Sequence, residues 1–447
     1  MTLIPSSSIW SEHQLSAYPG LSDQTTHADV AVIGAGLTGL SVAYHLLKRE
    51  PQKRIIVLEA GRIGSGASGQ TTGILGPGVG QSLVSLVRRF GPECAQTLYR
   101  RTLEAVEYVQ ALITREKIAC ELEMTGQVIV ARSPGGRSRL AAQAEILKRF
   151  NLPHEILGDQ DLKRIIRLAS LPGTQIREKG PAALRIPLAG ILHPVRLLAG
   201  LAARVTELGG AIFEGARVTG LREGNPVRLE VGSSANVIAD KVVIATAGYT
   251  SDLGVLRGRI LPAHLQVLVT EPLSAKAREL IGWEGREGIL DSRRIFNYFR
   301  LTADNRIVFG GGEPRYRWGG STSEDSGNVA HALDRLANEM TSTFPKGSDL
   351  TIARGWTGVI GYVLDALPAI HYGGTKCPIL HLVGWCGHGV ALSLAFGAWI
   401  TSLICDGAAK ENLPWYREQP PLVPFELVRW LGFNSSVKLM HLLDKVA

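Results

Sequence analysis

The chain has 447 residues, 45% of them hydrophobic and 20% charged, and its formal net charge is +8. This composition is typical of a folded globular protein and excludes a disordered chain, and the length favours more than one domain. Because no run of Lys or Arg is longer than two residues, we expect no nucleic-acid partner. A mildly basic enzyme is the simpler interpretation, and attraction to an anionic membrane or partner is the alternative.

The cysteines and the termini predict a cytoplasmic protein. Five cysteines, an odd number without any C-x-x-C pair, indicate reduced thiols rather than a disulfide framework. Cys386-Gly387-His388 resembles half of an iron–sulfur motif, but the second half is missing, so we expect no metal. Residues 1–18 do not have the pattern of a secretory signal. Residues 377–405 lack Asp, Glu, Lys and Arg, yet glycines interrupt them, which favours a buried strand and helix over a membrane span.

Residues 28–60 predict a complete βαβ unit that binds a dinucleotide. A short apolar strand at 29–33 runs into Gly34-Ala35-Gly36-Leu37-Thr38-Gly39, which matches G-x-G-x-x-G and opens an amphipathic helix. A second apolar run, 55–58, ends at Glu59, twenty residues after Gly39. The glycines permit a tight turn, approach of the pyrophosphate and close packing, and the acidic residue accepts hydrogen bonds from ribose hydroxyls.

Further predicted elements follow a glycine-rich loop at 61–73. Helices are predicted at 82–117, 137–150, 194–208, 329–343 and 390–404. Strands are predicted at 211–213, 242–245, 264–270, 294–301, 306–309 and 379–383, with a hairpin over 121–131 that turns at Thr125-Gly126. This order predicts an α/β fold, α+β overall: a doubly wound, Rossmann-like domain in three separated pieces, with an inserted antiparallel-sheet domain.

Taken together, the motifs resemble the D-amino-acid oxidase-like superfamily of FAD-dependent oxidoreductases. Within it the chain is most similar to the glycine oxidase, sarcosine oxidase and γ-glutamylputrescine oxidase type. Beyond the βαβ unit, the motifs that carry the resemblance are Gly-Ala-Ser-Gly-Gln at 66–70, His193-Pro194, Val218, Ala-Thr-Ala-Gly at 245–248, Thr-Glu-Pro at 270–272, Gly-Gly-Gly at 310–312, Trp-Thr-Gly at 356–358, Asp-Ala-Leu-Pro at 365–368 and Gly-Trp-Cys-Gly-His-Gly-Val at 384–390. The resemblance implies an FAD-binding domain at 24–88, 186–253 and 352–412, a substrate domain at 89–185 and 254–351, and an amphipathic tail at 413–447.

The family pattern also implies the cofactor site and the reaction. The residues it assigns to FAD are Gly34, Gly36, Leu37, Thr38, Gly39, Glu59, Ala60, Ala67, Ser68, Gln70, Val218, Ala247, Gly248, Gly387, His388, Gly389 and Val390. Cysteine is absent between Cys120 and Cys377, so we expect the FAD to be non-covalent. The flavin would take a hydride from an N–CH group to give an imine, which water hydrolyses. The electrons would then pass to oxygen or to a redox carrier.

Three basic residues by which related enzymes hold a substrate carboxylate are missing. Ile360 and Ala391 stand at two of these places, and 71–80 contains neither Arg nor Lys. We therefore expect an amine without a free α-carboxylate, or with an acid group far from the reacting nitrogen. The alternatives are an amino-acid substrate held by other anchors, and a flavin-bound subunit that needs a partner for activity.

One predicted strand supplies candidates for substrate contact. Alternation along 294–301 puts Arg294, Phe296, Tyr298 and Arg300 on one face, which could bind an anionic group or could simply face solvent. We name Tyr298, Arg300 and His388 as candidate catalytic residues, although such a histidine more often packs or caps. Weaker candidates are Gln70, Gln266, Tyr362 and Trp385.

The tail from 425 to 446 is apolar and roughly helical, with three interspersed basic residues, Arg429, Lys438 and Lys445. Packing on the body of the protein is the first interpretation. Contact with a partner or weak peripheral contact with a membrane are the alternatives.

Overall fold

The structure of the protein, a computed structural model, describes residues 5–13, 16–169, 180–323, 326–372, 379–406, 412–417 and 419–446. Within these residues the helices are α1 (Leu37–Arg49), α2 (Ala67–Gln70), α3 (Leu83–Arg115), α4 (Pro134–Arg149), α5 (Asp159–Ile165), α6 (Pro194–Glu207), α7 (Ala275–Ile281), α8 (Ser326–Thr343), α9 (Gly389–Trp399), α10 (Thr401–Asp406) and α11 (Glu426–Val446). The strands are β1 (Thr25–Ile33), β2 (Ile55–Leu58), β3 (Ile74–Leu75), β4 (Gln127–Val130), β5 (Glu155–Leu157), β6 (Ala183–Ile186), β7 (Gly190–Ile191), β8 (Ala211–Phe213), β9 (Val218–Arg222), β10 (Val227–Val231), β11 (Ala235–Ile244), β12 (Leu261–Thr270), β13 (Gly288–Asp291), β14 (Tyr298–Leu301), β15 (Ile307–Tyr316), β16 (Ile352–Tyr362), β17 (Ala369–Tyr372) and β18 (Ile379–Val383).

The first sheet has the order β17-β18-β11-β1-β2-β8, and β10 and β9 extend it beside β11. Its central strands β18, β11, β1, β2 and β8 are parallel. Helices cover one face in a core that includes Leu40, Val109 and Leu198, and the other face packs beneath the β9–β10 ribbon. Parallel strands need both faces covered, which explains why β2, β18 and the second half of β1, from Val30 to Ile33, are almost continuously apolar. This sheet is the predicted Rossmann-like domain.

The second sheet has the order β16-β12-β15-β14-β13-β4-β6-β5 and is antiparallel except for the β4–β13 pair. Helix α8 packs on it over a separate core that contains Phe299, Phe309 and Phe344. The predicted combination of a doubly wound domain and an antiparallel sheet is therefore confirmed. Residues 352–362, expected in the FAD-binding domain, form β16 and pair with β12 of this second sheet. The domain boundaries themselves stay a prediction.

Three predicted elements differ from the structure. The hairpin over 121–131 is wrong, because β4 pairs with the distant strands β6 and β13. The strand expected from residue 294 begins only at Tyr298, since the Asp291 carboxylate accepts hydrogen bonds from the backbone N–H groups of Arg293 and Asn297 and bends the chain before it. The helix expected over 390–404 is divided into α9 and α10.

The predicted tail consists of two different parts. Trp415 is fully buried against α9, and its carbonyl accepts a hydrogen bond from Ile370 N, so residues 413–417 belong to the first core. Helix α11 instead lies on the second sheet, against β15. None of the described helices combines the length and the hydropathy that a membrane span requires.

Candidate active site

The glycine-rich turn joins β1 to α1 at the carboxyl end of the first sheet. Gly34 has a φ of 100°, which L-residues rarely adopt, and a Cβ there would also press on the carbonyl of Ala245. A Cβ at Gly39 would collide with the carbonyl oxygen of Gly34, so the helix can lie this close to the turn only with glycine. Leu37 and Thr38 form the first turn of α1, whose N–H groups can bind an anion.

Glu59 fixes the same turn from the end of β2. Its carboxylate accepts hydrogen bonds from Ala35 N and Gly61 N, each at 2.9 Å. Burial raises the pKa of Glu59, and these two hydrogen bonds act in the opposite direction. The following residue, Ala60, is exposed. A carboxylate at this place, beside the turn, has the position that ribose recognition needs.

A second loop places α2 against the start of α1. Ser68 Oγ accepts a hydrogen bond from Leu37 N at 3.1 Å, which ties the two helix N-termini together. The side-chain Nε2 of Gln70 donates to Ser65 O at 2.9 Å, and the backbone carbonyl of Gln70 accepts a hydrogen bond from the Trp356 indole N–H at 3.0 Å. Gln70 Oε1 is buried and accepts no hydrogen bond from the described residues, so it is available to a donor on a bound group. Ala67 and Gln70 both face the cavity described below.

Val218 follows a segment that bonds to the end of β2, and the pair Ala247-Gly248 follows the carboxyl end of β11. Val218 is buried at the start of β9, and Ala216 N, two residues earlier, donates to Glu59 O at 2.8 Å. Ala247 has a left-handed φ of 46°, and Gly248 packs on the backbone of Ile360. The predicted FAD residues of three chain segments are thus brought to one edge.

The turn before α9 forms the third part of the site. Cys386 and Gly387 have φ values of 47° and 82°, and Cys386 N donates to Gly361 O at 3.3 Å, which holds the turn against β16. Helix α9 begins at Gly389, directly after His388. Nδ1 of His388 lies 3.2 Å from Cys386 O, and burial lowers the pKa of this histidine, so the imidazole is neutral at pH 7.

A cavity of about 290 Å³ lies between this turn, the α2 loop and the second sheet. Among its described lining residues, Arg294 is the one Lys, Arg, Asp or Glu. Uncharged polar side chains include Gln70, Gln127, Tyr298 and Tyr362, and the rest of the lining is largely apolar. Ile360, which the sequence led us to expect in place of a carboxylate anchor, lines the cavity.

The candidates on the shortened strand divide into two groups. Tyr298 and Phe296 line the cavity with Arg294, and burial raises the pKa of Tyr298 to about 12, which keeps its hydroxyl protonated. Arg300 does not line it, contrary to expectation. Its guanidinium is buried and donates to Thr72 O and Leu192 O, each at 2.7 Å, and to Leu301 O at 3.0 Å. Thr72 lines the cavity, so Arg300 lies behind the loop that contains Thr72 and holds this loop in place.

Of the weaker candidates, Gln70 and Tyr362 line the cavity. Trp385 packs on Phe396 with ring centres 5.3 Å apart, and Gln266 lies on β12 beside Gly312. Sequence reasoning missed Gln127 and a wall supplied by α11, whose lining residues are Phe433, Ser436, Val437 and Met440. The period of the tail predicted a helix, but nothing in the sequence indicated where it would dock.

These features fit FAD. The glycine-rich turn has no room for side chains at Gly34 and Gly39, and the Glu59 carboxylate lies beside it. Gln70 Oε1, which has no hydrogen-bond partner among the described residues, and the N-terminus of α9 border the cavity. A helix N-terminus stabilises negative charge, which a reduced flavin carries on its pyrimidine ring. Gly387, which lines the cavity, leaves room for the ring to approach the backbone.

Known proteins resemble this chain over most of its length. The chain is similar to a probable oxidoreductase OrdL of Haemophilus influenzae, with 29% identity over 97% of this chain and 96% of the relative. It is also similar to the γ-glutamylputrescine oxidoreductase of Escherichia coli, with 29% identity over 91% of each chain. A crystal structure of glycine oxidase from Geobacillus kaustophilus shares the fold, with a TM-score of 0.71 at 20% identity over 88% of this chain and 98% of that chain.

The family model described as FAD dependent oxidoreductase matches residues 29–403, which include every segment of the site except α11. The chain therefore belongs to the FAD-dependent oxidoreductase family.

Proposed function

We propose that this chain oxidises the C–N bond of an amine to an imine, with FAD bound non-covalently. The observation that carries the proposal is the cavity, which adjoins the turn before α9 and whose described lining residues include one cation, Arg294, and no carboxylate. When bound, FAD supplies the oxidation by accepting a hydride from the carbon next to nitrogen, and water then hydrolyses the imine.

The chain's own residues bind and orient the substrate in this proposal. His388 lines the cavity and its imidazole is neutral at pH 7, so an unprotonated ring nitrogen can accept a hydrogen bond from the substrate amine. Tyr298 stays protonated and can donate a hydrogen bond within the cavity. The apolar lining excludes water from the reacting carbon.

Cys386 supports non-covalent binding. It is the cysteine that lines the cavity, and burial raises the pKa of its thiol to about 12. Its sulfur accepts a hydrogen bond from Val363 N at 3.4 Å. A thiol that stays protonated is a poor nucleophile toward a flavin ring.

The lining also favours one class of substrate. Phe296, Tyr362 and Met440 offer contacts to a carbon chain, and Ile360 offers no charge to an α-carboxylate. Arg294 can bind an acid group far from the reacting nitrogen. The name of the E. coli relative, which refers to a putrescine derivative, supports an amine substrate.

Anaerobic bleaching of the flavin absorbance tests this proposal. The panel contains butylamine and 5-aminopentanoate, set against glycine, sarcosine and D-alanine. We expect faster reduction by the longer amines, and Arg294→Ala should raise the KM for 5-aminopentanoate but hardly change that for butylamine. Faster reduction by glycine, sarcosine or D-alanine would instead favour an amino-acid substrate. Bleaching by none of them would favour a subunit that needs a partner. Admitting oxygen or a quinone to the reduced protein then identifies the class of acceptor.

The outer face of α11 supports a second proposal, that the protein touches a membrane surface. Large apolar side chains are exposed along it, among them Leu431, Leu439 and Leu442, with Leu442 at 57%. Both acidic residues of the helix, Glu426 and Asp444, bond to the body of the protein, whereas Lys438 is exposed. An apolar face with a cation and no exposed carboxylate suits an anionic lipid surface.

Sedimentation with liposomes tests the membrane proposal. Replacing Leu431, Leu439 and Leu442 together by Ser should abolish binding to vesicles with anionic lipid, because the substituted side chains are exposed and the fold does not depend on them. A matched variant, Ile156→Ser, removes an exposed apolar side chain elsewhere, 58% exposed on β5, and should bind as the parent does. If the parent chain fails to sediment with the vesicles, the proposal is wrong.

A further inference from the structure

Asp444 is held by an unusual set of donors. Its Oδ2 accepts hydrogen bonds from the backbone N–H groups of Arg294 at 2.7 Å and Ile295 at 3.1 Å. Its Oδ1 lies 3.2 Å from Arg294 Nη1 and 3.6 Å from Arg139 Nη2. The Asp444 side chain is only 3% exposed. Two backbone donors and two guanidinium groups thus converge on one carboxylate, which is strong recognition for an acid group.

The position of Asp444 in its own helix makes this recognition more informative. Asp444 lies in the last turn of α11, where the negative end of the helix dipole disfavours a carboxylate. Burial adds a further cost. The four donors must therefore outweigh both effects, so the recess that they form has a marked preference for a carboxylate.

The recess adjoins the substrate cavity. Arg294 and Ile295, which supply three of the four donors, both line the cavity. Arg139, from α4, bonds through Nε to Ser292 O at 2.9 Å, which fixes its guanidinium. Nη2 of Arg139 is buried and faces Asp444 Oδ1 at 3.6 Å, which is an ion pair but too long for a hydrogen bond, so it can approach an acid oxygen more closely than it does here.

Helix α11 borders both the recess and the cavity. Phe433, Val437 and Met440 of α11 line the cavity, and Asp444 follows one turn later. Near its middle the helix is tied separately, by Asn434, which exchanges two hydrogen bonds with the backbone of Tyr316 at 2.9 and 3.3 Å. The attachments of α11 at Asn434 and at Asp444 can therefore be loosened independently.

We propose that this recess is a carboxylate-binding subsite, which the chain's own Asp444 occupies until the remote acid group of a substrate displaces it. The inference rests on the proposed function and names its substrate class as amines with a remote carboxylate. Two carboxylates cannot share the four donors, because their charges repel. Binding of an acidic amine then requires Asp444 to leave, whereas a neutral amine binds with Asp444 in place.

Ligand binding to the holoenzyme tests the subsite without turnover. The probes are pentanoate and its neutral match, pentanamide, and the readout is the shift of the flavin absorbance together with the thermal shift of the protein. Asp444→Ala vacates the recess, and Asp444→Asn keeps the volume but removes the charge. We expect pentanoate to bind about tenfold more tightly to Asp444→Ala than to the parent, with Asp444→Asn between them and pentanamide nearly unchanged. Adding Arg294→Ala to Asp444→Ala should abolish the gain.

Asn434→Ala is the control for a helix that has merely come loose. It loosens α11 but leaves the carboxylate in the recess, so it should give no preference for pentanoate over pentanamide. If Asp444→Ala increases the affinity for pentanoate and for pentanamide by the same factor, Asp444 only holds α11 in place and the subsite is wrong. Equal pentanoate affinity in the parent and in Asp444→Ala would also overturn the subsite. Because no catalysis is needed, failure of amine oxidation would leave these results interpretable.

Discussion

The guanidinium carbon of Arg300 lies 4.9 Å from the ring centre of Trp10, which places an N-terminal aromatic side chain over a buried cation of the second sheet. Trp10 Nε1 donates to Thr71 O at 2.7 Å, and Arg300 Nε donates to Thr72 O at 2.7 Å. Both side chains therefore hold the loop that borders the cavity. Burial lowers the pKa of Arg300 to about 9, which still leaves it charged at neutral pH.

This relationship predicts that Arg300 acts on stability rather than on substrate choice. Arg300→Met removes the donors to Thr72 O and Leu192 O and leaves these carbonyls without their partner. We expect the free energy of unfolding to fall by roughly 2–5 kcal/mol, as measured by denaturant titration. The ratio of KM values for an acidic and a neutral amine should stay that of the parent. A selective rise in KM for the acidic amine would return Arg300 to the substrate site.

The hydrogen bonds of Glu59 predict its effect on FAD affinity. Glu59→Ala removes the acceptor beside the glycine-rich turn and should weaken FAD binding by roughly 1–3 kcal/mol, the cost of a lost charge-assisted hydrogen bond. Glu59→Gln keeps the shape and should lose less. Fluorescence titration of the apoprotein with FAD measures both. Retention of parental affinity in Glu59→Ala would contradict the assignment of this residue to the ribose.

The cofactor edge could be predicted from the sequence because its signals are local. Gly34, Gly39 and Glu59 lie within one βαβ unit, where spacing alone fixes their relative places. The strand containing Arg300 was also expected correctly from Tyr298 onward. Its start was missed because it depends on Asp291 and Asp444, and the second lies 150 residues from Arg294.

Long-range docking explains the other failures. Alternation put Arg300 on the face of Tyr298, but alternation does not show that residues 72–73 pass between that side chain and the cavity. The hydrophobic period of residues 425–446 likewise predicted a helix, but it did not predict where that helix would pack. Its place follows from pairs such as Asn434 with Tyr316, which are distant in sequence and have no local pattern.

Buried neutral histidines predict a loss of stability at acidic pH. Burial lowers the pKa of His45 to about 4, from 6.5, and Tyr108 OH is hydrogen-bonded to its Nε2. Between these two values the unfolded chain binds a proton that the folded chain does not, so folding stability falls as the pH drops through this window. The slope for one such histidine is at most about 1.4 kcal/mol per pH unit.

His45→Gln separates this contribution from that of the other groups. The variant should be less stable than the parent at pH 7, because it loses packing, but its stability should decline less steeply between pH 6.5 and 4. Urea unfolding at pH 7, 5.5 and 4.5 measures both slopes. His331, for comparison, is exposed on α8, and His331→Gln should leave the slope unchanged. Parallel curves for His45→Gln and the parent would show that His45 does not titrate as inferred.

Removal of α11 tests its two roles together, provided that the cut is placed correctly. A stop after Asn412 would delete Trp415 from the first core, whereas a stop after Pro424 removes only the helix that lies on β15. We expect the chain that ends at Pro424 to stay folded and keep FAD, because every assigned FAD residue precedes this cut. It should lose binding to anionic liposomes, and iodide should quench its flavin fluorescence more strongly, because Phe433, Val437 and Met440 no longer close the cavity.

The matched measurement is the Asn412 truncation, which should lower the melting temperature further, since a fully buried tryptophan is lost. Unchanged quenching in the Pro424 truncation would mean that α11 does not cover the flavin side of the cavity.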